Sequence, residues 1–136
     1  MSEELIPIGT IRSPYKSKED APRQGFLLDS ESEIEVYEDY EQGLDGIEEY
    51  ARLMVLYRFH RSRGYSLMAR PPGAGGYRGV FASRSPNRPN GIGVCIVDLI
   101  GRKGRFLTVK GLDALYGTPL LDIKPHIEAT DKLPGM

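Results

Sequence analysis

From Tyr50 to Arg61 the chain reads YARLMVLYRFHR, which sets Leu53, Val55, Tyr57 and Phe59 on one face and Met54, Leu56, Arg58 and His60 on the other. A period of two over that length predicts a well-buried β-strand that emerges into solvent at its end, with His60 at the exit. Elsewhere no clean helical period runs past about a dozen residues. Sixteen glycines and ten prolines cut the chain into short runs, so the expected fold class is mainly β, a small barrel or sandwich whose edges need covering.

The other runs fit that expectation. IPIGTIRS (6–13), SEIEVYE (32–38), GVFAS (79–83) and VCIVDLI (94–100) read as strands, with Ile34 and Val36 sharing one face of the second. GRKG (101–104) reads as a hairpin turn into RFLTVKGLDAL (105–115), and YGTPLLDIKPHI (116–127) closes the chain. YEQGLDGIEEY (40–50) suits one or two helical turns, while SPYKSKEDAPRQG (13–25) and RPPGAGGYRG (70–79) are connections.

A chain of 136 residues, 40% hydrophobic, fits one domain that buries its core without disulfides or a structural metal. The lone Cys95 excludes an internal disulfide and sits among apolar residues as a small hydrophobe, which points to a reducing compartment. No apolar run approaches the ~20 residues of a membrane span, and MSEELIPIG has no signal-peptide pattern, so the expected location is cytoplasmic. Cys and His do not cluster at metal spacing, and neither a Walker pattern nor GxGxxG is present, so no metal site is expected.

The net charge of −1 hides a strong polarity. Residues 1–49 carry fourteen acids and four bases, whereas residues 50–97 carry eight arginines and no Asp, Glu or Lys. An all-arginine middle favours recognition of planar anions over mere solubility, which lysine would serve equally well; the alternative is that the acidic and basic segments simply face each other in the fold. Within it, RGVFASRSPNRPNGIG (78–93) spaces Arg78, Arg84 and Arg88 among prolines, asparagines and glycines. The arginines and Asn90 can aim donors at a ligand that Gly91 and Gly93 let approach; equally, the prolines and glycines can simply route a crossover between strands. GLDALYGTPLLDIKP (111–125) poses the same choice, with Asp113 and Asp122 among apolar residues and turn formers.

Together, GVFASRSPNRPNGIG, GLDALYGTPLLDIKPHI, PIGTIRSPYKSKEDAPRQG and YRFH resemble the TsaA-like (YaeB or TrmO) family, over residue 6 to about 131 and in the same order. The resemblance implies a non-Rossmann β-barrel spanning 1–136 with short helical turns, a homodimer, and S-adenosylmethionine bound near the subunit interface. It implies methylation of N6 of threonylcarbamoyl-adenosine next to the anticodon of tRNA. It assigns cofactor contacts to Pro22, Arg23, Gln24, Gly25, His60, Arg61, Arg84, Val94, Gly111, Leu112, Asp113 and Ala114. The family's DIKP falls on Asp122 to Pro125, and Asp122, His60 and Lys124 are the candidates for handling the N6 proton. Arg78, Arg88 and Asn90 are the candidates for the acceptor's carboxylate and phosphates.

Three features depart from the family pattern. Gly91 follows RPN where a proline is usual, Arg61 follows FH where an acid or amide is common, and longer members carry a second, C-terminal domain. The same residues also suit a non-enzymatic nucleotide- or RNA-binding barrel, or a methyltransferase of small molecules. Methyl transfer from a sulfonium relies on alignment more than on catalytic groups, consistent with the missing triad.

Overall fold

The computed structural model describes residues 4–16, 30–60 and 64–131. Six antiparallel strands close into a barrel: β1 (Gly9–Arg12), β2 (Glu31–Val36), β3 (Arg52–Arg58), β6 (Ile92–Lys103), β7 (Phe106–Lys110) and β8 (Thr118–Pro125), in the order β1-β2-β7-β6-β3-β8. The short β4 (Met68–Ala69) and β5 (Arg78–Gly79) form a separate two-stranded hairpin, and a single helical turn, α1 (Glu128–Asp131), follows β8.

Alternation decides what the barrel encloses. Ile11, Ile34, Val36, Leu53, Val55, Val97, Leu107, Val109 and Leu120 point inward and are almost fully buried. Each such side chain removed from water stabilises the fold by about 1.5–3 kcal/mol. The face of β3 expected to be buried is buried, but the strand stops at Arg58, and the Phe59 amide turns aside to the Gly91 carbonyl at 2.8 Å.

Two local expectations are corrected. Residues 79–83 do not form a strand: Val80–Ala82 is a 3-10 turn, because Val80 drops into the core while Phe81 swings out. The turn expected at 101–104 lies two residues later, at Gly104 and Arg105, with Lys103 opposite Phe106. Gly101 stays in β6, where the register with β7 slips between Leu99 and Gly101.

The two ends of the barrel differ. At one end, 3-10 turns at Glu38–Leu44 and Ile47–Glu49 form a cap. Arg102 ties that cap down, donating to the Leu44 carbonyl at 3.1 Å, to Glu48 at 2.9 Å and to the Gly104 carbonyl at 2.6 Å. The Arg102 bond, helped by a backbone N–H, holds the Glu48 carboxyl below its ordinary pKa. Outside, Glu35 bridges Arg12 and Arg105 and is likewise depressed, first by Arg105. The other end collects the connections that follow β1, β3 and β7, and these carry the candidate site.

Gly9 marks the closest approach inside the sheet, since a Cβ there would run into the backbone carbonyl of Glu35 and crowd Leu120. Gly9→Ala is expected to lower stability by about 2–3 kcal/mol, the cost of overpacking a site with no flexible neighbour to yield. Urea unfolding monitored by circular dichroism checks this, and an unchanged midpoint would contradict it.

Candidate functional site

At the open end, Tyr57 is the last inward residue of β3. Its hydroxyl donates to Asp113 Oδ1 at 2.7 Å, and Asp113 sits on the segment that crosses the barrel mouth after β7. Cys95, on the neighbouring strand, donates its thiol to the Gly111 carbonyl at 3.1 Å. Burial, reinforced by Asp113, pushes the Cys95 thiol up to about 12 and raises the Tyr57 hydroxyl above its ordinary range. Arg84 is near enough to oppose both shifts, so Tyr57, Arg84, Cys95 and Asp113 form one electrostatic group. Arg84 is exposed and makes no hydrogen bond or ion pair among the described residues.

The crossing segment is shaped to offer backbone. Gly111 and Gly117 hold φ of 91° and 87°, conformations that favour glycine. Leu112 and Ala114 bury their side chains, so what they can present to a ligand is main chain. Ser13 anchors the segment by donating to the Ala114 carbonyl at 2.6 Å, and Thr118 donates to the Leu115 carbonyl at 2.6 Å. His60 stands beside it, its Nδ1 lying 3.3 Å from Thr118 Oγ1. Two buried hydroxyls on β1's extension and on β2, those of Tyr15 and Ser32, have no hydrogen-bond partner among the described residues.

Other candidates fall elsewhere. Val94 points outward from β6, paired with Leu56, and the next outward pair is Ile96 with Met54. On the other side of β3, Asp122 pairs with Leu56 and Lys124 with Met54. Asp122 and Lys124 therefore border an outer apolar face and bond to each other at 2.8 Å, which raises the Lys124 amine above its ordinary pKa. Asp122 also edges a shallow depression of about 550 Å³ lined by Ile8, Val36, Tyr40, Leu44 and Ile47. On one chain, then, Asp122 and Lys124 are not brought to His60.

The arginine loop is partly self-bound. Arg78 donates to the carbonyls of Tyr77 at 2.9 Å and Ala74 at 3.1 Å, and Arg88 donates to Ser83 at 2.8 Å. Asn90 is exposed at φ 67° and lines a depression with Glu4, Leu5 and Arg58. Pro22, Arg23, Gln24, Gly25 and Arg61 lie outside the described residues. Among the described residues, no three His, Cys, Asp or Glu side chains group as metal ligands.

Residues 10–132 match the family model of the tRNA-methyltransferase O N-terminal domain. The chain belongs to this family. A probable S-adenosyl-L-methionine-binding protein of Archaeoglobus fulgidus is 47% identical over 98% of this chain and 36% of its own length. The tRNA (adenine(37)-N6)-methyltransferase of Escherichia coli is 38% identical over 93% of this chain and 59% of its own. The crystal structure of TrmO from Pseudomonas aeruginosa superposes with a TM-score of 0.83 at 34% identity, covering this whole chain and 61% of that one. This member of the tRNA-methyltransferase O family thus spans less than two thirds of the length of each of these three relatives.

Tyr57 is the site neighbour that the sequence reading missed. The available signal was its hydroxyl, since a tyrosine on the core face of a strand needs a buried partner, and Asp113 is an acid set among apolar residues. The raised Cys95 pKa has a direct consequence. The unfolded thiol ionises near 9.0 and the folded one near 12, so stability is lost as pH rises through that window. At pH 8 the native thiol is expected to resist a disulfide-exchange reagent that labels the urea-unfolded chain within minutes. Rapid labelling of the native protein would contradict the burial of Cys95.

Proposed function

We propose that this chain binds S-adenosylmethionine at the open end of the barrel and methylates N6 of an adenosine in tRNA, with threonylcarbamoyl-adenosine beside the anticodon as acceptor. The observation that carries the reading is Arg84. It is a guanidinium without a hydrogen-bonding partner among the described residues, near enough to the Tyr57–Asp113 pair and to Cys95 to act on them electrostatically, at a mouth lined with main chain. The relatives named above, described as binding S-adenosyl-L-methionine or methylating tRNA adenine, support it.

The residues fit such a group. An adenine needs an apolar surface and exposed backbone along its edge, which the Gly111–Ala114 segment offers, and an amino-acid carboxylate needs a guanidinium such as that of Arg84. Pro22 to Gly25, His60, Arg61 and Val94 complete the assigned contacts by family resemblance. When bound, the cofactor supplies an electrophilic methyl group on its sulfonium. The chain's own contribution is alignment: Tyr57 fixes Asp113, Ser13 fixes Ala114, and Thr118 fixes the turn next to His60. His60, Asp122 and Lys124 are proposed to receive or steer the proton leaving N6. Arg78, Arg88 and Asn90 are proposed to face the acceptor, since Arg78 and Arg88 bond to backbone through only some of their five donors.

A homodimer reconciles the two locations. Val94, Asp122 and Lys124 lie on the outer face, apart from the mouth, beside an apolar surface made of Met54, Leu56, Val94 and Ile96. A second copy seated there would cover that surface and bring the outer-face residues of one chain to the mouth of the other. A tRNA substrate makes the cytoplasm the proposed location.

Arg84→Ala is expected to weaken S-adenosylmethionine binding about ten- to a hundredfold by calorimetry, the loss of one charge-assisted pair. Unchanged affinity would remove Arg84 from the site. Sedimentation equilibrium at micromolar concentration should give twice the chain mass for the native protein and the single mass for Ile96→Glu; a native monomer would overturn the dimer.

A further inference from the structure

Residues 64–83 form a flap outside the six-stranded barrel sheet, pinned by the buried Val80. Its β4–β5 hairpin is a two-stranded sheet of its own, pairing Met68 with Gly79 and Ala69 with Arg78. Such a hairpin is marginal without packing. It is tethered by backbone bonds, Val80 N–H to the Leu67 carbonyl at 2.8 Å and Ser66 N–H to the Asn87 carbonyl at 3.1 Å. Its large rings do not pack inward: Tyr65 is 63% exposed, Tyr77 66% and Phe81 76%.

Three solvent-facing aromatics on one small element oppose the hydrophobic effect unless something covers them. Charge identifies the cover. The flap, residues 64–83, carries Arg70 and Arg78 and no Asp, Glu or Lys, and Arg84 and Arg88 follow it in the chain. Arg70 stands over the Tyr77 ring at 6.0 Å, an arrangement that presents a guanidinium and a π-face together. Interleaved rings and arginines suit single-stranded nucleic acid, whose unstacked bases lie on aromatic faces while phosphates meet the guanidiniums. A duplex keeps its bases stacked and offers no such faces.

We infer that the flap is a stacking platform for the unpaired nucleotides flanking the methylated adenosine, with Tyr65, Tyr77 and Phe81 as the stacking residues. This rests on the tRNA reading above. The flap leads directly into Arg84 through the 3-10 turn at Val80–Ala82, so nucleotides held on it lie beside the proposed cofactor end.

The test compares the full chain with Tyr77→Ala, Phe81→Ala and the triple variant that adds Tyr65→Ala. The probes are a fluorescent anticodon stem-loop RNA and a blunt duplex of the same stem, read by anisotropy at two salt concentrations. S-adenosylmethionine affinity and sedimentation are measured on the same samples. The expected result is stem-loop binding weakened about tenfold by each single change, with duplex binding, cofactor affinity and subunit mass unchanged. If the wild-type chain binds the stem-loop and the triple variant binds it equally, the flap inference is overturned while the tRNA reading stands. If the wild-type chain binds cofactor but no RNA, the tRNA reading falls and takes the flap inference with it. If the triple variant becomes monomeric, the rings belong to a subunit contact, and the RNA role is overturned.

Discussion

Closure of the barrel depends on β8, which pairs with β1 on one side and with β3 on the other. Without it the sheet would end in two open edges, a liability for a chain this rich in apolar β-strand. The pairing is not uniform. Leu56 faces Asp122 while Tyr57 faces Leu120, so Leu121 is an extra residue and the register changes between them. That irregularity lets Leu120 pack inside next to Tyr57 while Asp122 and Lys124 stand outside next to Leu56 and Met54. The polar chemistry of the molecule is divided between the mouth and the outer wall by this one shift.

The division also separates stability from chemistry. The end capped by the 3-10 turns is held by Arg102 and is built from short, direct bonds to backbone. Toward the mouth, by contrast, polar groups are buried: the Tyr57–Asp113 bond and the Cys95 thiol on Gly111, both felt by the exposed Arg84, and the hydroxyls of Tyr15 and Ser32 without partners among the described residues. Unpartnered buried hydroxyls such as those of Tyr15 and Ser32 destabilise a fold unless a ligand or a neighbouring segment satisfies them, and buried polar groups with shifted ionisation are typical of places where a molecule binds. A small barrel has too little wall to enclose a large cofactor alone, which is the physical argument for the proposed second copy.

The strands were legible where alternation was strong. Residues 32–38 announced their buried face because Ile34 and Val36 alternate with Glu33 and Glu35, and residues 50–61 did so by a strict period of two that sets Leu53, Val55 and Tyr57 on one side. Residues 79–83 misled because Val80 and Phe81 look alike in an apolar run, yet one is buried and the other among the most exposed residues described. The hairpin turn shifted because Gly101 and Gly104 are equivalent in sequence, and only the Lys103–Phe106 pairing distinguishes them. Arg84, His60 and Asp113 were singled out through the family's motifs and remain proposed contacts, whereas the use of Arg78 and Arg88 as backbone staples depends on carbonyls that no motif names. The outer apolar row of β6 was equally hidden, since Ile92, Val94 and Ile96 alternate with the core residues Cys95 and Val97 in one continuous hydrophobic run.

The central claim is that mouth and outer wall meet across two chains to form one cofactor site. The most direct measurement is a calorimetric titration with S-adenosylmethionine of the native protein and of the chain made monomeric by Ile96→Glu. The account predicts one cofactor per chain in the native dimer and affinity weakened at least about tenfold in the monomer, because binding and association are linked. A folded monomer that binds S-adenosylmethionine as tightly as the native protein would contradict it, leaving the whole site within a single barrel.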